Sequence, residues 1–390
     1  MKDEAMYLTG ARIVMRNEVM ENSALLIQHG VIASIEPQAG AGSTHVKHID
    51  LTGQTLLPGL VDLHCDAIEK EVEPRSGVLF PLDFAVAQVD RRNAAAGITT
   101  PFHALSFANT QWGVRNNDMA AELVRLIKRT STHRLVDNRV HCRYEMTDPT
   151  SVSLLQMLME EGHVDLLSVM DHSPGQGQFK TLEVFVDYLM GNYAMDQKSA
   201  LAAARLKIRA RDGAPRRMRD LLATAAKHGI PIASHDDDSP HRIALMHELG
   251  VHMSEFPINL ETSAAAIAKG LPTILGAPNV LRGQSQSGSM RAIEAIRAGW
   301  ASCLCSDYQP ATLIAAAFAV ADSGALRLPD AVALVSANPA TAGALSDRGC
   351  IAPHLRADLI AVSLNDRWPT VTRTWCAGRL VFSTGDELTS

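Results

Sequence analysis

Six times along this chain a helix-like segment ends in glycine and passes straight into a short apolar run. The junctions lie at Gly97 (AAAGITTPF), Gly162 (EEGHVDLLSV), Gly229 (AKHGIPIAS), Gly250 (HELGVHMSE), Gly270 (AKGLPTILG) and Gly299 (RAGWASCLC). Glycine adopts the left-handed backbone that stops a helix, and an apolar run without alternation marks a strand buried on both faces, as in a parallel sheet. Adding LLPGLVDLHCD and RLVDNRVHCRYE gives eight candidate strands separated by helical stretches. That count favours closure over an open sheet, so the expected fold is α/β, a (β/α)8 TIM barrel. Helix starts agree in places: Ser239 stands as N-cap before Pro240 at the first helical position, and Asp330 follows Pro329 ahead of an apolar helix.

The two ends of the chain have a different texture. Residues 7–57 contain short β-like runs (YLTGARIVM, ALLIQHGVIASI) broken by glycine and polar residues, and residues 349–384 resume with ADLIAVSL and VTRTWCAGRLVF. Neither end has room for a helix of normal length. The two segments, 1–57 and 348–390, are therefore expected to pair into one small β-sandwich beside a barrel of residues 58–347. The long interval 173–219 begins Gly- and Gln-rich (SPGQGQFK), turns helical, and carries seven Lys or Arg between Arg205 and Arg219. A long connection after a barrel strand lies on the catalytic face, which predicts a lid. The basic run itself reads first as a solvated helical face or a contact within a homo-oligomer.

Composition narrows the function classes. With 390 residues, 46% hydrophobic and 20% charged, the chain suits one large barrel and a smaller module. No apolar run is long enough for a transmembrane helix, and Met1-Lys2-Asp3-Glu4 opens no signal core. Six cysteines without a disulfide spacing suit a reduced, cytoplasmic protein. The net charge of −6 argues against general nucleic-acid binding, while leaving room for a local basic pocket that takes an anionic small molecule.

The chemistry is concentrated where the apolar runs end. In Leu60-Val61-Asp62-Leu63-His64-Cys65-Asp66 the side-chain period of two points His64 and Asp66 the same way and turns Cys65 toward packing. HCRYE ends in Glu145 with Arg143 and His141 on the same face; SVMDHSPG ends in His172; IPIASHDDD ends in His235 followed by three aspartates; CLCSDY ends in Asp307. Five strands thus deliver imidazole or carboxylate at the end where barrel enzymes keep their sites. Such nitrogen and oxygen donors suit one or two divalent ions, zinc first, with manganese or iron as alternatives. A metal lowers the pKa of water and a carboxylate takes the remaining proton; Asp307 on the last strand is the expected base, and Glu145 the expected bridge between two metals. His163, His228, His247 and His252 lie in or beside helices or at strand starts, and are expected to be surface or hydrogen-bonded histidines.

Leu56-Leu57-Pro58-Gly59-Leu60-Val61-Asp62-Leu63-His64, just after a short β module, resembles the first barrel strand of the amidohydrolase superfamily, and Ala357-Asp358-Leu359-Ile360 resembles its return to the terminal β module. Most members carry His-x-His where this chain has His64-x-Asp66. The PhnM-type branch, concerned with alkylphosphonate utilisation, carries the aspartate, and the chain is similar to it along almost its whole length. The matching stretches are HCDAIEKEVEPRSGV (64–78), AAAGITTPFHALSF (94–107), SVMDHSPGQGQF (168–179), ASHDDD (233–238), SEFP (254–257), LGAPNVLRGQSQSG (275–288), CSDYQPATL (305–313) and NPATAGALSDRGCIAPHLRADL (338–359). The resemblance implies hydrolysis of alpha-D-ribose 1-methylphosphonate 5-triphosphate to the 5-phosphate and pyrophosphate. It also implies His64, Asp66, Glu145, His172, His235 and Asp307 as metal ligands, Glu145 and His172 resting on strand position more than on motif.

Such a substrate needs cations. Lys70 and Arg75 follow the first strand, Arg143 precedes Glu145, Lys180 follows the Gly-Gln stretch, and Arg282 sits in Asn279-Val280-Leu281-Arg282-Gly283-Gln284-Ser285. A Gly- and Ser-rich loop with an arginine holds phosphate through backbone N–H groups and a bidentate guanidinium. Arg143 has ion pairing with Glu145 as its alternative. Two other functions fit less of the sequence: hydrolysis of a C–N bond, which the superfamily's opening motif alone would allow, and a non-catalytic scaffold, which needs an inert residue at a ligand position.

Overall fold

A computed structural model of the chain describes residues 5–37, 46–75, 77–108, 116–177, 179, 181–193, 195–285, 288–364 and 368–385. Five strands come first: β1 (Met6–Val14), β2 (Val19–Gln28), β3 (Val31–Pro37), β4 (Lys47–Asp50) and β5 (Thr55–Pro58). The barrel strands follow: β6 (Leu60–Cys65), β7 (Ile98–Phe107), β8 (Arg139–Glu145), β9 (Leu166–Met170), β10 (Ile232–His235), β11 (Met253–Glu255), β12 (Thr273–Gly276) and β13 (Cys303–Cys305). β14 (Leu359–Ser363), β15 (Thr370–Cys376) and β16 (Arg379–Ser383) end the chain's regular structure.

Strands β6 to β13 pair in sequence order, each parallel to the next. All eight are buried along their length except at the first residue of β8, which is why their sequences run apolar without alternating. The six junction glycines all take left-handed φ, from +66° at Gly229 to +80° at Gly250. Val61, Phe102, Leu166, Ala233, Met253, Ile274 and Cys303 pack together inside the ring as a closed floor, so the barrel is a core and not a pore.

The ring closes at its C-terminal mouth through residues that matter chemically. Cys65 and Asp307 form a parallel bridge, Asp66 N donates to Asp307 O at 2.7 Å, and Asp307 N donates to His64 O at 2.9 Å. Below them the buried Asp62 carboxylate accepts from Ser306 N at 3.0 Å and from His64 N at 3.2 Å.

The terminal segments build one eight-stranded mixed sheet, in the order β16-β15-β14-β5-β1-β2-β3 with β4 paired to β1. The antiparallel pairing of β14 with β5 joins the two ends of the chain, around a core of Leu8, Ile13, Leu25, Ile27 and Trp375. Between β9 and β10 the interval 173–219 contributes helices Leu182–Tyr193, Gln197–Ala210 and the start of Ala214–Lys227. Phe179, Phe185, Val186, Leu189, Ala200 and Ala204 give this insertion a small core of its own. Within the basic run Arg205, Arg209, Arg216 and Arg219 are exposed, but Lys207 is buried. Among the described residues no helix is long and apolar enough to cross a membrane.

Candidate metal centre and anion pocket

The mouth of the barrel gathers side chains from strands far apart in sequence. His64 comes from β6, Arg143 and Glu145 from β8, His235 from β10 and Glu255 from β11, with His172, Asp236 and Asp307 just beyond the ends of β9, β10 and β13. Two groups have donor atoms all within 4.8 Å of one another: His64 with His235 and Glu255, and His172 with His235 and Asp236. His235 belongs to both and stands at the centre.

Glu255, with no exposed surface, binds two histidines at once. Its Oε1 lies 3.2 Å from His64 Nδ1 and its Oε2 lies 3.3 Å from His235 Nδ1. A carboxylate on Nδ1 fixes ring orientation and turns Nε2 toward a metal, the usual arrangement behind metal-bound histidines; here Nε2 of His235 meets Arg143 at 3.5 Å. Phe256 sets the same two rings from the side, its centroid 5.0 Å from that of His64 and 5.2 Å from that of His235. Phe256, Asp236 and Asp307 all hold positive φ, at 52°, 55° and 55°. For residues other than glycine this is a sparsely populated backbone region, and strain of this kind gathers at functional sites.

Neighbouring imidazoles keep the buried carboxylates of Asp236 and Glu255 ionised. His172 Nε2 and Asp236 Oδ2 face each other at 3.6 Å, and both are buried without a hydrogen-bond partner among the described residues. Burial pushes the Asp236 carboxyl up, but His235 and His172 outweigh it and hold it below the usual range. Burial likewise opposes the charge on Glu255, and His141 and His64 overcome it, so its pKa falls well below an ordinary glutamate's. His141 is pushed down to about 3 by burial, against the pull of Glu255, and bridges Leu63 O at 3.1 Å and Ser168 Oγ at 2.8 Å. Asp307 is different: burial, aided by Asp66, raises it to about 6 against the pull of His64 and Arg143. Buried carboxylates beside imidazoles, with His172 Nε2 and Asp236 Oδ2 lacking hydrogen-bond partners among the described residues, fit a divalent cation with nitrogen and oxygen ligands.

The cavity over this cluster is lined by His64, Asp66, His172, His235, Asp236 and Asp307. Arg143, Lys207 and Arg282 line it as well, facing Phe179, Phe185 and Tyr188 of the insertion. Arg143 approaches Asp66 at 3.7 Å and donates to His235 Nε2 at 3.5 Å, while its buried Nε has no partner among the described residues. Its carboxylate neighbour is thus Asp66 rather than Glu145. Glu145 is fully buried behind His172, whose Nδ1 lies 3.6 Å away, and accepts from Thr147 Oγ1 at 2.6 Å. Arg282 ends a short helix, Ala277–Arg282, instead of sitting in an open loop; the turn follows at Gly283, with φ of 70°.

Of the other nominated cations, Lys70 and Arg75 are exposed and stand outside the cavity lining, and Lys180 lies outside the described residues. Cys65 packs into the core under the first strand. His252 Nδ1 accepts from Ile232 N at 3.1 Å at the far end of the barrel. Three residues at the site were not singled out from the sequence: Glu255, Asp236 and Lys207. The first two stand in stretches already noted, SEFP and the three aspartates after His235; only Lys207 had no local signal, hidden in a run of solvated arginines.

Comparison with known proteins bears on family and fold. The amidohydrolase family matches residues 214–381. The chain is 35% identical over 383 residues to the alpha-D-ribose 1-methylphosphonate 5-triphosphate diphosphatase of Escherichia coli (strain K12), across 97% of this chain and 100% of that protein. Among solved structures, molinate hydrolase superposes with a TM-score of 0.64 at 14% identity, covering 97% of this chain and 95% of its own. The 5-methylcytosine deaminase of Klebsiella pneumoniae superposes with a TM-score of 0.64 at 16% identity, covering 99% and 100%. At such identities the likeness is one of fold.

Proposed function

This chain belongs to the amidohydrolase family, and from that premise we propose that it hydrolyses alpha-D-ribose 1-methylphosphonate 5-triphosphate to the 5-phosphate and pyrophosphate in phosphonate catabolism. The observation that carries the proposal is the full-length relation to a diphosphatase of that specificity. The cavity supplies a chemical reason, since Arg143, Lys207 and Arg282 converge on it beside the ligand cluster.

His64, Asp66, His172, His235 and Asp236 would hold one or two divalent ions, zinc being the first choice for this donor set, with manganese or iron next. A divalent ion in such a site lowers the pKa of water and offsets charge on phosphoryl oxygens. Glu255 and Phe256 keep the two central imidazoles oriented. Asp307, raised to about 6, is mostly ionised at neutral pH yet basic enough to take the proton of the attacking water. The water oxygen bonds to phosphorus, the anhydride linkage breaks, and pyrophosphate leaves with the electron pair. Arg143 and Arg282 bear on the charge gathering on the phosphate oxygens. The six free cysteines support a reducing compartment, and we place the enzyme in the cytoplasm.

The test is a substrate panel with Zn(II) and Mn(II). Metal-dependent release of pyrophosphate from the ribose phosphonate triphosphate is the expected result. Turnover of a cyclic amide or an aminated base with no release of pyrophosphate would replace this reading with C–N bond hydrolysis.

A further inference from the structure

We infer that Lys207 binds the phosphate chain of the substrate, so that the helical insertion and not the barrel alone reads the substrate's charge. The inference rests on the phosphoryl chemistry proposed above.

Lys207 is only 4% exposed, an unusual place for an ammonium group. It lies on the inward face of helix Gln197–Ala210, which also buries Ala204 and Ala200 one and two turns earlier. Its Nζ donates to His172 O at 3.1 Å and stands 3.4 Å from Glu145 Oε2, with the Phe185 ring centroid 5.7 Å away. An ammonium has three donors. Among the described residues these contacts use two, and the side chain lines the cavity, which leaves the third for a ligand there.

Glu145 accepts from Thr147 Oγ1 at 2.6 Å, Thr147 N at 3.3 Å and His172 N at 3.2 Å, and the charge of Lys207 helps to hold it ionised against burial. That pairing fixes the ammonium at the edge of the cavity without using all of its donors. The neighbouring basic residues Arg205 and Arg209 on the same helix point to solvent. Arg143 and Arg282 reach the same cavity from β8 and from the segment after β12, so the three cations surround it from separate elements. A triphosphate is the kind of ligand that engages all three, and charge-assisted bonds to phosphate are its main source of affinity.

The experiment compares Lys207→Met, Lys207→Gln and Lys207→Arg in the metal-loaded enzyme, reading KM and kcat on the triphosphate and pyrophosphate binding by calorimetry. Lys207→Met and Lys207→Gln should weaken pyrophosphate binding and raise KM by about 10- to 100-fold, and Lys207→Arg should recover most of that loss. Melting temperature without ligand verifies folding, and Lys207→Arg, which keeps the charge, carries the comparison if a neutral variant is unstable. A folded Lys207→Met that binds pyrophosphate within about threefold of the parent protein overturns the inference while leaving the proposed activity intact. If Lys207→Gln is unstable and Lys207→Arg is stable but unable to bind pyrophosphate, the inference is equally overturned. A parent enzyme that neither binds nor releases pyrophosphate overturns the proposed function itself.

Discussion

At the N-terminal end of the barrel strands, Asp137 receives Arg348 at 2.7 Å and Arg139 at 2.9 Å, and Asp165 receives Lys128 at 2.5 Å and Arg139 at 3.3 Å. Arg356 meets Asp358 at 2.9 Å, and Ala377 N donates to the same carboxylate at 2.6 Å. At the opposite end, Glu255, Glu145 and Asp236 face ring nitrogens at 3.2 to 3.8 Å, and buried atoms of His172, Asp236 and Arg143 have no hydrogen-bond partner among the described residues. Both ends bury ionised groups in one barrel. The first satisfies them with guanidinium and ammonium groups, and so ties the barrel to the terminal sheet through Arg348 and Asp358. The second pairs Glu145 with Lys207 and Asp66 with Arg143, but among the described residues Glu255 and Asp236 are paired only with imidazoles, the condition in which a metal gains affinity. Where charges are matched the structure is being held together; where they are not, it is prepared for a ligand.

This contrast can be broken by variants that act at one end only. Asp307→Asn should lower kcat by about 10²- to 10⁴-fold, as loss of a general base does. The same change should leave the melting temperature of the metal-free protein unchanged or higher, because burial already outweighs the attraction of His64 and Arg143 for its charge; a kcat within tenfold of the parent's would end its role as base. Arg348→Met takes one of two guanidinium partners from Asp137 and from Asp358 and should cost about 1.5–3 kcal/mol in urea unfolding, while kcat of the folded fraction holds. Equal losses of activity and stability in that variant would erase the distinction between the two ends.

Removing metal with a chelator should lower stability by about 2.7 kcal/mol relative to protein holding metal at a hundred times its Kd, and Zn(II) should restore it. Arg348→Met should show the same shift on chelation, whereas Asp307→Asn should show a smaller one. The smallest effect concerns acid. Asp137 is held below the usual carboxylate range: burial opposes its charge, but Arg139 and Arg348 prevail. Its folded pKa is therefore lower than its unfolded value, and the unfolded state binds more protons between the two. The stabilisation is complete above about pH 4, the unfolded value, and is lost as pH falls through the folded one. Asp137→Asn should flatten the stability curve in that window, measured by urea unfolding at successive pH; an unchanged acid limb would remove Asp137 from the account.

Much of the mouth could be anticipated because strand periodicity is a local property. His64 and Asp66 share a face by a spacing of two, and His235 and Asp307 stand where apolar runs stop. Glu255 was hidden because β11 is only three residues long, Met253–Glu255, too short to show a period. Asp236 was one of three consecutive aspartates, and the left-handed turn at φ 55° turns it to His172, whereas Asp237 accepts from Ser254 Oγ at 2.5 Å. Among the cations, Lys70 and Arg75 sit near the first strand in sequence, and both are exposed and outside the cavity lining.

The sequence by itself determined the barrel. Glycine's freedom at positive φ and unbroken apolar strands act within a few residues, so six junctions and two further runs could be counted directly. Only the tertiary structure decided which polar groups share a site. That depends on ring closure, which joins Asp66 and Asp307 across 241 positions of chain, and on the packing of an insertion that turns Lys207 inward while its basic neighbours remain in water. Pattern along a chain records which face a residue occupies; what stands opposite is set by contacts between distant segments, and those contacts decide where buried charge is balanced and where it is left for a ligand.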